Sequence, residues 1–198
     1  NYNLNYKIIK MKKIIKNILT NILCAIYNIK CGKGYYIGPH LHVYNIKKKL
    51  TIGKKVEIST YTTLLCVTPE ARISMGDNIR IAHHLQISCA KSVIICSDIN
   101  IGPYVFITDH NHKFEDPKIP VKDQGISIQE NARIEIGSGS WIGTKVTIIG
   151  NVRIGRHCVI GANSVVTKDI PDYCVAAGVP AKVIRKYDPE TRQWAKTV

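Results

Sequence analysis

The segment at residues 108–112, TDHNH, holds the side chains best suited to chemistry in this 198-residue chain. An imidazole ionises near neutral pH, so a positioned histidine can accept a proton and return it within one reaction cycle. His110 and His112 are both candidates for such a base. Four groups could orient the imidazole, and the sequence leaves the choice open: Asp109, Asp98, Glu130 or a backbone carbonyl.

This segment interrupts a repeat with a period of six residues. In the C-terminal half, an aliphatic residue recurs at every sixth position: Ile136, Ile142, Ile148, Ile154, Ile160 and Val166. Four places after each of the first five, the residue is small or compact: Ser140, Val146, Val152, Cys158 and Ser164. The same phase appears earlier in the chain: Ile52, Ile58, Leu64, Met75, Ile81, Ile87, Ile101 and Ile107. The consecutive matches favour a true repeat over chance alternation in a β-sandwich.

A six-residue repeat is typical of a β-solenoid. Each unit forms one short strand and a turn, and three units complete a triangular coil. The aliphatic residue points inward and stacks on its equivalents in the coils above and below. The repeat breaks after Ile107 and resumes at Ile136, so we expect an inserted loop at 108–133. Rigid coils would hold a site there while the loop closes over a substrate.

Composition and charge exclude several classes of protein. The chain is 45% hydrophobic and 21% charged, and no run approaches the ~20 apolar residues of a membrane span. The net charge is +14, but residues 1–56 carry twelve lysines and no acid, whereas residues 57–198 carry 16 basic and 14 acidic residues. Because the body is nearly neutral and has no nucleic-acid motif, we expect no nucleic-acid partner. Seven irregularly spaced cysteines predict buried thiols in a reducing cytoplasm rather than disulfides or a zinc site made of cysteines.

Residues 4–29 have the periodicity of an amphipathic helix. Its apolar stripe advances by three or four residues: Ile8, Met11, Ile15, Ile18, Ile22 and Ile26. The stripe is widened by Ile14, Leu19 and Leu23. The lysines fall mainly off this stripe, and Gly32 and Gly34 can end the helix, so we predict a basic helical segment at 1–33. The stripe could lie on an anionic membrane surface, or pack on the domain or on a neighbouring subunit. The lysines could also form a collar for an anionic substrate.

The stretch WIGTKVTIIGNVRIGRHCVIGANSVVTKDIPDYCVAAGVPAKVIRKY, from Trp141 to Tyr187, resembles the hexapeptide-repeat acyltransferases. Within them it is most similar to the sugar O-acetyltransferases of the maltose, galactoside and surface-polysaccharide type. The resemblance implies a left-handed parallel β-helix over 34–180 and a C-terminal extension at 181–198. It also implies a homotrimer that binds acetyl-CoA between neighbouring subunits and needs no metal.

The resemblance assigns roles to individual residues. The catalytic histidine of the family aligns with His110, which implies that His110 is the general base and later returns the proton to the CoA thiolate. Asn111 stands where galactoside-type enzymes have Pro, so this segment looks more like the polysaccharide branch. The backbone N–H of Thr144 would stabilise the oxyanion. Other positions implied to contact acetyl-CoA, the last four around its phosphates, are Trp141, Gly143, Ala162, Thr167, Lys168, Lys182 and Arg185.

We therefore expect an acetyl-CoA-dependent O-acetyltransferase that acts on a sugar hydroxyl in surface polysaccharide or glycan biosynthesis. It would work in the cytoplasm, with residues 4–29 able to hold it at the inner membrane surface. The main alternative is N-acetylation of a nucleotide-linked amino sugar, because the same base and donor site would serve an amine. Two others are a non-catalytic trimeric scaffold and a zinc enzyme like the γ-class carbonic anhydrases. Four histidines are candidate zinc ligands: His83, His84, His110 and His112.

Overall fold

Three parallel sheets wind around one apolar core in the computed structural model of the chain, which describes residues 18, 20–22, 24–26 and 28–197. The first sheet contains β1 (Lys30–Cys31), β4 (Leu50–Ile52), β7 (Arg72–Met75), β10 (Ser92–Ile95), β15 (Ile134–Ile136) and β18 (Val152–Ile154). The second contains β2 (Tyr36–Ile37), β5 (Val56–Ile58), β8 (Ile79–Ile81), β11 (Ile99–Ile101), β16 (Trp141–Ile142), β19 (Val159–Ile160), β21 (Cys174–Gly178), β22 (Ala181–Asp188) and β23 (Gln193–Lys196). The third contains β3 (His42–Tyr44), β6 (Thr63–Cys66), β9 (Gln86–Cys89), β12 (Phe106–Thr108), β17 (Thr147–Ile149) and β20 (Val165–Val166).

The strand register confirms the six-residue repeat. β15 and β18 are parallel neighbours that pair Ile134 with Val152 and Ile136 with Ile154. Partners are therefore separated by three repeat units, which make one coil of the solenoid. About seven such turns are stacked, and the predicted parallel β-solenoid is confirmed. The end of the chain departs from this pattern, because β22 and β23 add to the second sheet as antiparallel strands.

The core is made by the repeat positions themselves. The aliphatic residue of each unit is almost fully buried in every coil, from Ile52 and Ile58 through Ile160 and Val166. The compact positions are buried as well, including Ser140 and Ser164. Complete burial of one such aliphatic side chain contributes about 2 kcal/mol, so the stack supplies the main stabilisation of the fold.

One corner of the solenoid carries a ladder of stacked rings that the sequence analysis did not predict. His40, Tyr61, His84 and Tyr104 occupy equivalent positions between the second and third sheets, each with a positive φ. Successive ring centroids lie 4.5, 4.9 and 4.6 Å apart. This spacing follows from the separation of parallel strands, about 4.8 Å, which places identical corner positions at stacking distance.

The N-terminal helix packs on the first coil through the side that carries Thr20 and Cys24, and three isoleucines of the predicted stripe face away from it. Described residues 18, 20–22 and 24–26 are helical, and the rest of the predicted 4–29 helix up to residue 17 lies outside the described residues. Thr20 and Cys24 are buried, and Cys24 Sγ lies 2.9 Å from Cys31 Sγ of β1. The stripe residues Ile18, Ile22 and Ile26 are 52%, 49% and 62% exposed and do not pack on the coil of this chain. No helix among the described residues is long and apolar enough to cross a membrane.

Candidate active site

The coil opens immediately after β12, where the buried carboxylate of Asp109 is held by the coil below. The backbone N–H of Ala90 donates to Oδ1 at 2.6 Å, and the N–H groups of Lys91 and Ser92 donate to Oδ2 at 2.7 and 2.8 Å. Asp109 is only 2% exposed. Three donors from one turn fix both oxygens, so the carboxylate has a single orientation.

Two opposing effects set the ionisation of Asp109. Burial alone would raise its pKa, because a charged carboxylate loses its hydration. The hydrogen bonds from His110 and from the three backbone N–H groups outweigh burial and lower the pKa below its ordinary value of 3.8. Asp109 is therefore a buried carboxylate that remains charged at neutral pH.

His110 lies against this carboxylate. Its Nδ1 atom is 3.2 Å from Asp109 Oδ1 and 3.2 Å from Thr108 Oγ1, and its side chain is 9% exposed. The Thr108 hydroxyl also donates to the carbonyl oxygen of His110 at 3.2 Å. A carboxylate at Nδ1 favours the tautomer with the proton on that nitrogen. Nε2 is then the nitrogen available to accept a proton from a bound group.

The other groups considered from the sequence lie elsewhere. His112 belongs to β13 (Asn111–His112) and is exposed. Asp98 accepts a hydrogen bond from Asn78 Nδ2 at 2.6 Å, and Glu130 is exposed in the inserted loop. Among the four groups that could orient the imidazole, Asp109 is the one in contact with it.

The inserted loop forms an exposed arm. β13 pairs with β14 (Ile126–Ser127) as an antiparallel hairpin, and a short 3-10 helix, Val121–Asp123, lies between them. Several apolar side chains of the arm face outward, including Phe114, which is 69% exposed, and Ile119, which is 44% exposed. The arm therefore presents apolar surface that the other described residues do not cover.

The second predicted group of residues lies where β16 turns toward β17. Trp141 is 56% exposed on the outer face of the second sheet. A Cβ atom on Gly143 would lie 2.7 Å from the nitrogen of Ala162, so only glycine allows the two coils to approach this closely. Within the described part of the chain, no acceptor pairs with the backbone N–H of Thr144 or of Ala162. These two N–H groups are donors available to a ligand along the corner.

Lys182 and Arg185 lie above this corner on β22. Gly161 packs under Ala177, because a Cβ atom on Gly161 would lie 3.0 Å from Ala177 Cβ, and Ala177 pairs with Lys182 across the hairpin. Lys182 is thus close to Ala162, and Arg185 lies three residues further along the same strand. Both cations are exposed. The corner therefore combines free backbone donors, a small side chain and positive charge, which suits an extended ligand that carries phosphates.

Thr167 and Lys168 are exposed on a different corner, which they share with His110. They follow β20, which pairs with β17, and β17 pairs in turn with β12. The N–H of Gly150, which follows β17, donates to the carbonyl of Thr108 at 2.9 Å. This corner therefore runs from His110 past Gly150 to Lys168.

The predicted site residues consequently divide between two edges of the third sheet. Thr144, Ala162 and Lys182 lie at the edge where its strands begin, and His110 and Lys168 lie at the edge where they end. One side of the coil, from residue 144 to residue 150, separates the two edges by roughly 15–20 Å at about 3.3 Å per residue. One chain therefore does not bring His110 and Thr144 together.

The outer face of the second sheet carries a groove that the sequence analysis missed. Two adjoining cavities of about 530 and 440 Å³ share four lining residues: Glu57, Arg80, Asn100 and Trp141. Strand register places these side chains in one column, and Arg80 Nε lies 3.6 Å from Glu57 Oε2. These four side chains align although successive coils differ in length. A strict six-residue count along the sequence therefore does not reveal their alignment. Across the described residues, no group of three or more His, Cys, Asp and Glu could hold a metal ion.

Comparisons with known proteins agree with this architecture. The profile of the family "Bacterial transferase hexapeptide (six repeats)" matches residues 133–168. WbbJ of Escherichia coli (strain K12), named for lipopolysaccharide biosynthesis O-acetyl transfer, is 41% identical over 128 residues, which are 63% of this chain and 65% of WbbJ. Galactoside O-acetyltransferase of the same strain is 30% identical over 164 residues, which are 78% of this chain and 76% of that enzyme.

A solved structure shares the fold at lower identity. The N-acyltransferase AntD from Bacillus cereus, in complex with dTDP and 3-hydroxybutyryl-CoA, has a TM-score of 0.69 and 20% identity, covering 87% of this chain and 90% of AntD. The chain spans 65% of the length of WbbJ and 48% of that of a related protein from Mycobacterium tuberculosis. The match to most of galactoside O-acetyltransferase nevertheless establishes the relationship. The chain belongs to the hexapeptide-repeat acyltransferase family.

Proposed function

We propose that this protein is an acetyl-CoA-dependent O-acetyltransferase that acts on a sugar hydroxyl. The observation that carries the proposal is the pair formed by Asp109 and His110 at the break in the coil. A charged, fully fixed carboxylate 3.2 Å from Nδ1 orients the imidazole and would stabilise its protonated form. Transfer to a hydroxyl requires a base that accepts a proton and then returns it, and an oriented imidazole is suited to both steps.

In the proposed mechanism, Nε2 of His110 accepts the proton of the acceptor hydroxyl as its oxygen attacks the acetyl carbonyl carbon. Acetyl-CoA supplies the acetyl group as a thioester. The backbone N–H of Thr144 donates to the carbonyl oxygen as it gains negative charge. His110 then returns its proton to the sulfur that leaves, so the base ends each cycle in its starting state.

We propose that the donor is held at the corner formed by Trp141, Gly143, Thr144 and Ala162. The two N–H groups without acceptors would bind the pantetheine arm, and the small side chain of Ala162 leaves room for it. Cations bind phosphate through charge-assisted hydrogen bonds, so Lys182 and Arg185 would hold the phosphates above the corner. Thr167 and Lys168, on the His110 corner, would reach the donor from the other side of the cleft.

The separation of the two corners supports a homotrimer with active sites between subunits. A cleft that pairs the His110 edge of one copy with the Thr144 edge of the next would unite base and oxyanion donor. The apolar side chains of the arm, such as Phe114 and Ile119, would then contact the neighbouring copy.

The class of acceptor is proposed from the relatives. WbbJ and galactoside O-acetyltransferase carry names that describe O-acetyl transfer, one in lipopolysaccharide biosynthesis and one to a galactoside. We propose a sugar or glycan acceptor in surface polysaccharide biosynthesis and a cytoplasmic enzyme at the inner membrane surface. The lysines of residues 1–56, with no acid among them, support peripheral attachment to anionic lipid.

N-acetylation of a nucleotide-linked amino sugar is a second candidate. AntD is an N-acyltransferase whose structure was solved with dTDP, and the structural match covers 90% of AntD. The experiment that separates the two candidates is a mass-spectrometric screen of the purified protein with acetyl-CoA over sugars, oligosaccharides and nucleotide-linked amino sugars. An ester that mild alkali removes supports O-acetylation, whereas an alkali-stable amide supports the alternative. CoA release without product in any acceptor class would contradict both.

A further inference from the structure

The N-terminal end of the solenoid presents an outward row of three isoleucines. Ile18, Ile22 and Ile26 follow one another at intervals of four residues, so they lie on one side of the helix. Among the described residues of the helix, Thr20 and Cys24 are the buried ones, and they lie on the opposite side. The row of isoleucines is therefore an apolar surface that the described part of this chain leaves exposed.

A cationic pocket lies where this helix ends. It has a volume of about 370 Å³ and six lining residues: Asn28, Lys30, Lys48, Leu50, Thr51 and Arg72. Lys30 and Thr51 are paired in β1 and β4, and the N–H of Asn28 donates to the carbonyl of Ala25 as the helix closes. The pocket therefore adjoins the last turn of the row.

The cations of the pocket carry charge that no described carboxylate neutralises. Arg72 is fixed by its Nη1 atom, which donates to the carbonyls of Pro69 and Ala71 at 2.9 and 2.7 Å. No acid lines the pocket, and no ion pair among the described residues involves Lys30, Lys48 or Arg72. Three positive charges therefore meet in one concave site without a carboxylate partner.

We propose that this end of the solenoid, the row Ile18, Ile22 and Ile26 with the pocket of Lys30, Lys48 and Arg72, docks on a bilayer that contains anionic lipids. The isoleucines would enter the interface between headgroups and acyl chains, and the pocket would take a lipid phosphate. The inference rests on the proposed peripheral location and names the surface responsible for it. A bilayer is favoured over a second copy of this chain, because contact between two copies of this end would place lysines against lysines.

The test is vesicle co-sedimentation of the full chain with phosphatidylcholine vesicles, with and without about one-third phosphatidylglycerol. We expect binding to the anionic vesicles only, and a steep loss of binding with added salt. The triple variant Ile18→Ser, Ile22→Ser, Ile26→Ser should bind at least tenfold more weakly, as should the double variant Lys30→Gln, Lys48→Gln. The matched control is Lys186→Gln, Lys196→Gln, which removes the same charge from exposed positions at the opposite end and should bind like the wild type.

Each outcome has a distinct meaning. If the wild type binds anionic vesicles and neither variant weakens binding, the location stands and this surface is wrong. If the wild type does not bind them, the peripheral location fails as well. Inorganic phosphate that competes as well as the vesicles would indicate a site for free phosphate and overturn the lipid assignment. Acetyl transfer to a soluble acceptor and the far-ultraviolet circular dichroism of each variant show that the enzyme and its fold are intact.

Discussion

Nδ1 of His110 lies 3.2 Å from Oδ1 of Asp109, although the two residues are neighbours in the chain. Adjacent side chains in a strand point to opposite faces, but both residues lie just after β12, where the coil opens. The carboxylate turns inward to the N–H groups of the coil below, and the imidazole folds back over it.

The His110→Ala variant should lower kcat for acetyl transfer by about 1,000-fold, because a positioned general base contributes 10²–10⁴-fold. The matched variant His112→Ala removes an exposed imidazole of the arm and should change kcat by less than about threefold. Steady-state release of CoA, measured with the acceptor found by the product screen, checks both. A loss of activity in His112→Ala, with His110→Ala unaffected, would mean that the base is misassigned.

Asp109→Asn should lower kcat for acetyl transfer by about 10–100-fold and leave KM for acetyl-CoA within about twofold. The reason is that an amide no longer fixes the imidazole with its proton on Nδ1 and Nε2 free to accept one. A residue with only a structural role would lower the amount of folded protein and leave kcat per folded enzyme unchanged. Steady-state kinetics of both proteins, normalised to folded enzyme, make the distinction.

The same carboxylate should make stability depend on pH in acid. Folding lowers the pKa of Asp109 below 3.8, so the unfolded chain binds the proton first as the pH falls. The stabilisation is therefore fully present above about pH 4 and is lost as the pH falls through the folded-state pKa. Urea unfolding should show a constant difference between wild type and Asp109→Asn from about pH 8 to about pH 5, and a smaller difference below about pH 3.5. A difference that grows in acid would contradict this sign.

Two inactive variants, each with a substitution on a different corner, should regain acetyl-transfer activity when they are mixed. His110→Ala removes the proposed base, and Ala162→Trp fills the proposed donor corner. In mixed trimers formed at equal amounts, roughly a quarter of the clefts would unite two intact edges, so up to about a quarter of wild-type activity should return. The matched mixture of His110→Ala with Asp109→Asn damages the same corner twice and should restore almost nothing. Equal recovery in both mixtures would place the whole site within one chain.

Lys182 and Arg185 should govern affinity for the donor rather than the chemical step. The double variant Lys182→Ala, Arg185→Ala should raise KM for acetyl-CoA by about tenfold and leave kcat within about twofold, because it removes contacts that do not change during the reaction. Dephospho-CoA or acetyl-pantetheine as donor should show a smaller difference between the two proteins. A fall in kcat with unchanged KM would argue against phosphate binding at this corner.

Much of the fold could be predicted because its determinants are local. Ile136, Ile142 and Ile148 recur at every sixth position, and this period is enough to specify a short strand, a turn and an inward side chain. The break after Ile107 was visible for the same reason. His110 was predicted by resemblance at this break, and its role as base is still a prediction.

The sequence by itself determined the solenoid, its core and the position of the inserted arm, since each depends on neighbours a few residues apart. Only the tertiary structure decided that Asp109 orients His110, because its other partners lie on the coil below, 17 to 19 residues away along the chain. It also decided that Ile22 faces outward while Cys24 is buried, and that Thr144 and His110 lie on different corners. These relationships depend on how coils of unequal length come into register, and a repeat read along one dimension does not contain that information.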